Sequence, residues 1–113
     1  MEKNTERKAA GGVQTIPAAD EAKREHYAML VRRFPSNSVE AQCVRLYHAL
    51  LFAPVDTLEA RKLLDILMPA ARIFELREQG KQIDTVRVMR PTDEGKLHSV
   101  ALYVLLPGGV VDE

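Results

Sequence analysis

Between residues 20 and 79 apolar side chains recur every third or fourth position, and after Gly80 they recur every second one. That change of period predicts a run of helices followed by strands. Tyr27, Leu30, Val31 and Phe34 stand at i, i+3, i+4 and i+7, one stripe of a helix that Asp20 can cap and Pro35 ends. Lys23, Arg24, Arg32 and Arg33 lie around that stripe. Asn37 and Glu40 have capping-box spacing ahead of a second helix over 38–52. Its apolar face runs through Val39, Cys43, Leu46, Tyr47, Leu50 and Leu51.

Ala53-Pro54-Val55-Asp56 breaks the second helix and forms a short extended link. Two short helices follow, over 58–64 and 69–79, with a tight corner between them. Asp56 or Thr57 caps the first. Pro69 opens the second, where its missing amide costs nothing, and Gly80 stops it. Ile83, Thr85, Val86 and Val88 then fall in one strand and residues 98–106 in the next. Arg90-Pro91-Thr92-Asp93-Glu94-Gly95-Lys96 is the turn-rich tip between them. Residues 1–19, polar and without period, read as a disordered arm, and residues 108–113 as a tail. The class is α+β, mostly α. Over 38–107 the order of elements is that of a winged helix-turn-helix, with residues 20–35 as an accessory amphipathic helix. Its stripe must be covered either by its own domain or by a second copy, so a homodimer through residues 20–34 is one expectation.

On a wheel of about 100° per residue, the helix over 69–79 centres its apolar face on Ile73, with Leu76, Ala70, Phe74 and Arg77 toward the core. Arg77 should lay its methylenes on the core and send its guanidinium to a carboxylate or to helix-end carbonyls, a structural role shared with Ile73 and Leu76. The opposite face carries Ala71, Arg72, Glu75 and Gln79. Arg72, Glu75 and Gln79 follow i, i+3 and i+7 and can line one groove. Arg pairs with guanine, Gln with adenine and Glu with cytosine, while Ala71 admits a thymine methyl. The plainer reading is a solvated face with an Arg–Glu pair worth a few tenths of a kcal/mol. Thr57 and Arg61, with Arg87, Arg90 and Lys96 around the hairpin tip, are the candidates for DNA phosphates. Asp93 and Glu94 in the same loop oppose that role.

Charge argues the other way. The 113 residues hold 16 Lys/Arg and 16 Asp/Glu, whereas a nucleic-acid reader is usually basic overall. Residues 38–113 hold nine basic side chains against eleven acidic ones. Any DNA-binding potential must therefore be local. One cysteine, Cys43, excludes an internal disulfide and a multi-cysteine zinc site, and its apolar helical setting reads as a buried, inert thiol. His26, His48 and His98 have no metal-ligand spacing, and no phosphate-binding glycine loop occurs. The expectation is a cytoplasmic protein that is not an enzyme, with no cofactor, metal, membrane segment or small-molecule substrate.

Asp56-Thr57-Leu58-Glu59-Ala60-Arg61, Pro69-Ala70-Ala71-Arg72-Ile73, Glu75-Leu76-Arg77, Gly80, Ile83 and Tyr103-Val104-Leu105 together carry a resemblance. Over about residues 44–106 the chain resembles the small helix-turn-helix domain proteins of bacterial prophages, plasmids and other mobile elements. That resemblance implies a winged-helix DNA-binding fold, a role in transcription regulation, and Arg72 at the position that enters the groove. Asp65 stands where such proteins often carry a glycine at the helix corner, and Asp tolerates left-handed backbone better than most residues. The alternative is a winged-helix adaptor that binds protein and not double-stranded DNA.

Overall fold

The computed structural model describes residues 13–107. In chain order the elements are α1 (Glu21–Arg33), α2 (Val39–Phe52), β1 (Val55–Asp56), α3 (Thr57–Leu63), α4 (Pro69–Glu78), β2 (Ile83–Pro91) and β3 (Leu97–Leu105). The strands make one antiparallel sheet in the order β1-β3-β2. Four helices and this sheet give an α+β, mostly helical winged helix-turn-helix with α1 added in front.

Local chemistry sets each boundary. Asp20 Oδ1 accepts from the Lys23 amide at 2.9 Å and starts α1. The cap of α2 is Ser38 and not Asn37: Ser38 Oγ accepts from the Ala41 amide at 3.1 Å. The Asn37 carbonyl instead takes the Gln42 side-chain amide at 2.8 Å. Asp56 and Glu59 exchange bonds of 2.8 and 3.0 Å in a capping box that opens α3. At the α3–α4 corner Asp65 adopts φ +56°, the left-handed turn that a glycine would otherwise supply. Gly80, at φ +94°, closes α4: its amide reaches the Arg77 carbonyl at 2.9 Å, and the Lys81 amide reaches that of Leu76 at 3.1 Å.

One core joins all of these elements. Tyr27 and Leu30 of α1, Cys43, Leu46, Ala49 and Leu50 of α2, Val55, and Ala60, Leu64, Ile66, Ile73 and Leu76 of the helix pair surround Ile83, Ala101 and Tyr103 of the hairpin. The stripe of α1 is therefore covered within its own chain, with Tyr27 and Leu30 buried and Phe34 packed against the core. The apolar surface that suggested a homodimer through residues 20–34 is already used. Of the stripe expected on α2, Val39 and Leu51 point outward, 45% and 56% exposed, and Ala49 takes their place inside.

The arm also differs from expectation where it is described. Gln14 accepts from the Met89 amide and Ile16 donates to the Met89 carbonyl, both at 2.9 Å, so this stretch runs parallel to the edge of β2. Residues 1–12 and the tail at 108–113 lie outside the described residues. At the other end of the hairpin, Thr92 and Lys96 close the turn at 2.9 Å with Gly95 at φ +84°.

Buried charges tie the pieces together, and sequence reasoning missed them. Arg45, 1% exposed, donates from Nε to the Leu64 carbonyl at 2.9 Å and from Nη1 to the Phe34 and Ser36 carbonyls at 2.6 and 2.8 Å. Its Nη2 reaches the Asp65 carbonyl at 3.3 Å. One guanidinium thus holds the α1–α2 link and the α3–α4 corner to α2. Lys23 brings α1 onto buried Glu59 at 2.9 Å.

Candidate functional site

Helix α4 projects from the corner, and its rotation decides which side chains can meet a partner. Pro69, Ile73 and Leu76 are its buried residues. The buried face is thus turned by roughly 60° from the one read off the sequence. Phe74, expected inside, is 62% exposed, and Ala70 is exposed beside it. Leu67 and Met68, just before the helix, are 79% and 60% exposed. Among the described residues, nothing covers this end of α4.

The same rotation corrects the groove-lining set. Arg72 is not free on the outer face: its side chain is 14% exposed and points along the flank toward α2. Its Nε and Nη2 donate to Glu75 at 2.7 and 3.2 Å, and Nη1 donates to Gln42 at 3.2 Å. Glu75 also accepts from the Cys43 thiol at 3.5 Å. Burial, and after it the bond to Glu75, push the Cys43 pKa up, which keeps the thiol protonated. Gln79 is exposed at the far end of α4, on a groove of about 280 Å³ that Glu40, Cys43, Val44, Tyr47, Leu76 and Lys81 also line. Arg72, Glu75 and Gln79 share a side, as their spacing requires, but that side faces α2. Ala71 remains half-buried between the two faces.

Arg77 lies on the opposite flank. Its guanidinium donates to the Ile83 carbonyl at 2.9 and 2.6 Å and to the Thr85 hydroxyl at 2.9 Å. Those bonds set α4 against the base of the hairpin. Ala70, Phe74 and Arg77 stand at i, i+4 and i+7, so the exposed stripe of α4 runs beside the face of β2 that carries Thr85 and Arg87.

The candidate phosphate ligands divide. Arg61, Arg87, Thr57 and His98 line one cleft of about 370 Å³ between α3 and the hairpin, together with Ser99. Arg61 and Arg87 are exposed, and Arg61 Nε donates to the Leu67 carbonyl at 3.2 Å, which joins this cleft to the corner ahead of α4. Thr57 Oγ1 is directed at the Ala101 carbonyl, 3.4 Å away. Lys96 is exposed at the tip. Arg90 does not belong to this surface. It is 7% exposed, with Nε 2.8 Å from Asp56 Oδ2 and Nη1 bonded to the Pro91 carbonyl, so it neutralises the buried cap of α3. Asp93, expected to repel phosphate, instead pairs with Lys62 of α3, whose ammonium holds the carboxyl below its usual range.

Two of the three histidines serve packing. His26 stacks on Phe52 at 4.2 Å between centroids, and His48 on Phe34 at 5.4 Å. Among the described residues no group of three or more His, Cys, Asp or Glu side chains is placed to hold a metal ion, and no helix is long and apolar enough to cross a membrane.

Comparison with known proteins agrees with this geometry. A family model described as a winged helix-turn-helix domain matches residues 41–107. No curated protein and no solved structure matches the chain.

Proposed function

The chain belongs to the winged helix-turn-helix domain family, and on that premise we propose that it binds double-stranded DNA sequence-specifically. The start of α4 enters the major groove, and the α3–hairpin cleft takes the adjoining backbone. The observation that carries this reading is the uncovered beginning of α4 beside a cleft that holds Arg61 and Arg87. A phosphate there meets two guanidinium groups, with the Ser99 and Thr57 hydroxyls within the same lining. Lys96 adds a third contact from the tip. The role in transcription regulation, and the setting in a prophage or other mobile element, rest on the sequence resemblance.

Three cations predict a modest salt dependence. At about 0.9 per neutralised phosphate, log affinity should fall with log salt at a slope of about −2.7. Between roughly 50 and 200 mM salt that is a loss of about fortyfold. Fluorescence anisotropy with a labelled duplex across that range reads it directly. No saturable duplex binding at low salt would overturn the proposal. It would favour a protein-binding adaptor, which the exposed Leu67, Met68 and Phe74 also suit.

A further inference from the structure

We propose that α4 reads thymine methyl groups through carbon, with Phe74 as the specificity-determining residue and Ala70 and Ala71 beside it. This rests on the DNA-binding reading above and deepens it.

Most of the hydrogen-bonding side chains of α4 are already engaged. Arg72 and Glu75, which could read bases by hydrogen bonds, are bonded to each other and to α2. Arg77 is bonded to β2. Gln79 is ten residues beyond Pro69, about 15 Å along the axis, too far from an entering N-terminal turn. Exposed on the first two turns are Ala70 and a phenyl ring 62% open to solvent, with the half-buried Ala71 beside them. On the wheel these three fall within about 100° of arc, so one surface strip contains them.

Of the groups that base pairs present in the major groove, the thymine C5-methyl is the apolar one, and Ala and Phe side chains are suited to meet it. The strip rises about 6 Å from Ala70 to Phe74, which spans about two base steps. Charge complementarity identifies duplex DNA as the occupant: exposed Arg61 and Arg87 stand in the cleft that adjoins the same corner. An apolar strip beside cations fits the methyl-bearing floor of a groove between two phosphate walls.

The test uses the full chain and repeated selection from a random-sequence duplex library. The selected site should contain thymines in a core of two or three base pairs. Replacing those thymines by deoxyuridine keeps the pairing and removes the methyls, and affinity should fall about fourfold per methyl. Phe74→Ala, at an exposed position, should melt like the parent and lose most of the thymine–deoxyuridine difference while the salt slope is unchanged. A selected site without thymine, equal binding of the deoxyuridine duplex, or undiminished discrimination by Phe74→Ala would overturn the inference and leave DNA binding standing. Absence of any saturable duplex binding would instead remove the reading on which it rests.

Discussion

Replacing Arg45 by Met should destabilise the domain by about 2–4 kcal/mol, because among the described residues no other side chain satisfies the carbonyls it reaches. Three of its bonds are 2.9 Å or shorter, to Leu64, Phe34 and Ser36. Hydrogen bonds from a charged donor contribute about 1.5–3 kcal/mol each, so the gross loss is several kcal/mol. Two effects reduce it. The Phe34 and Ser36 carbonyls lie near the surface and can turn to water, whereas the bond to Leu64 is buried. Removing an interior guanidinium also relieves a desolvation cost of several kcal/mol, and the Met side chain restores part of the packing.

For a domain of this length each kcal/mol moves the melting temperature by about 4–8 °C, so the midpoint should fall by roughly 10–30 °C. Urea unfolding followed by circular dichroism should give a lower midpoint with an unchanged slope. Arg45→Lys keeps a charge but not the planar fork, and should recover about half of the loss. Arg72→Met, which removes an ion pair one turn apart and a bond to the neutral Gln42 side chain of α2, should cost about 1 kcal/mol. A shift under about 4 °C for Arg45→Met, or equal shifts for Arg45 and Arg72, would refute the reasoning that one buried cation fixes the corner.

Four further outcomes rest on the same geometry. Arg90→Met leaves the buried Asp56 carboxylate unpaired and should cost about 3–5 kcal/mol in melting; Arg87→Gln should leave melting alone and shallow the salt slope by about 0.9. Burial raises the Glu59 pKa even with Lys23 beside it, so the folded chain keeps a proton there that the unfolded chain has released. That contribution to stability is full below the ordinary carboxylate range and is lost as pH rises through the raised value; Glu59→Gln should flatten this decline, and parallel curves for the two proteins would contradict it. Cys43 should resist thiol reagents in the native state and react fully in denaturant, and rapid native labelling would show the thiol to be accessible.

Elements announced by local chemistry were legible in the chain; those decided by a neighbour were not. Asp20, Pro69 and Gly80 mark helix ends because capping requires only adjacent residues, and the period-two pattern after Gly80 gave the hairpin. The rotation of α4 is not legible because Phe74 and Ala70 are apolar and read as core. Hydrophobicity requires that cores be apolar, not that apolar residues be inside. What turned the helix was contact with α2 and the corner, long-range facts absent from a wheel. Arg90 reads as a hairpin-tip cation until the pairing of β1 with β3 brings Asp56 into reach. A usable signal did exist for Arg45. It stands one position before Leu46 and four before Ala49, within the buried face of α2, where an arginine must find acceptors.

The balanced charge that argued against DNA binding has a structural explanation in this allocation of cations. Of the nine Lys/Arg between residues 38 and 113, Arg45 and Arg90 are buried, and Arg72, Arg77 and Lys62 are bonded within the chain. Net charge counts all five, yet two are buried and the other three already have partners within the chain. Of the other four, Lys81 lies over the Tyr47 ring, and Arg61, Arg87 and Lys96 are exposed around the cleft and the tip. Non-specific affinity scales with that small number rather than with composition. On the DNA-binding reading proposed above, a protein so built gains little from any duplex and must take most of its discrimination from α4. Bonded arginines fix the orientation of that helix, Arg72 to α2 and Arg77 to β2, so on the same reading the exposed ring of Phe74 would matter more than the total charge.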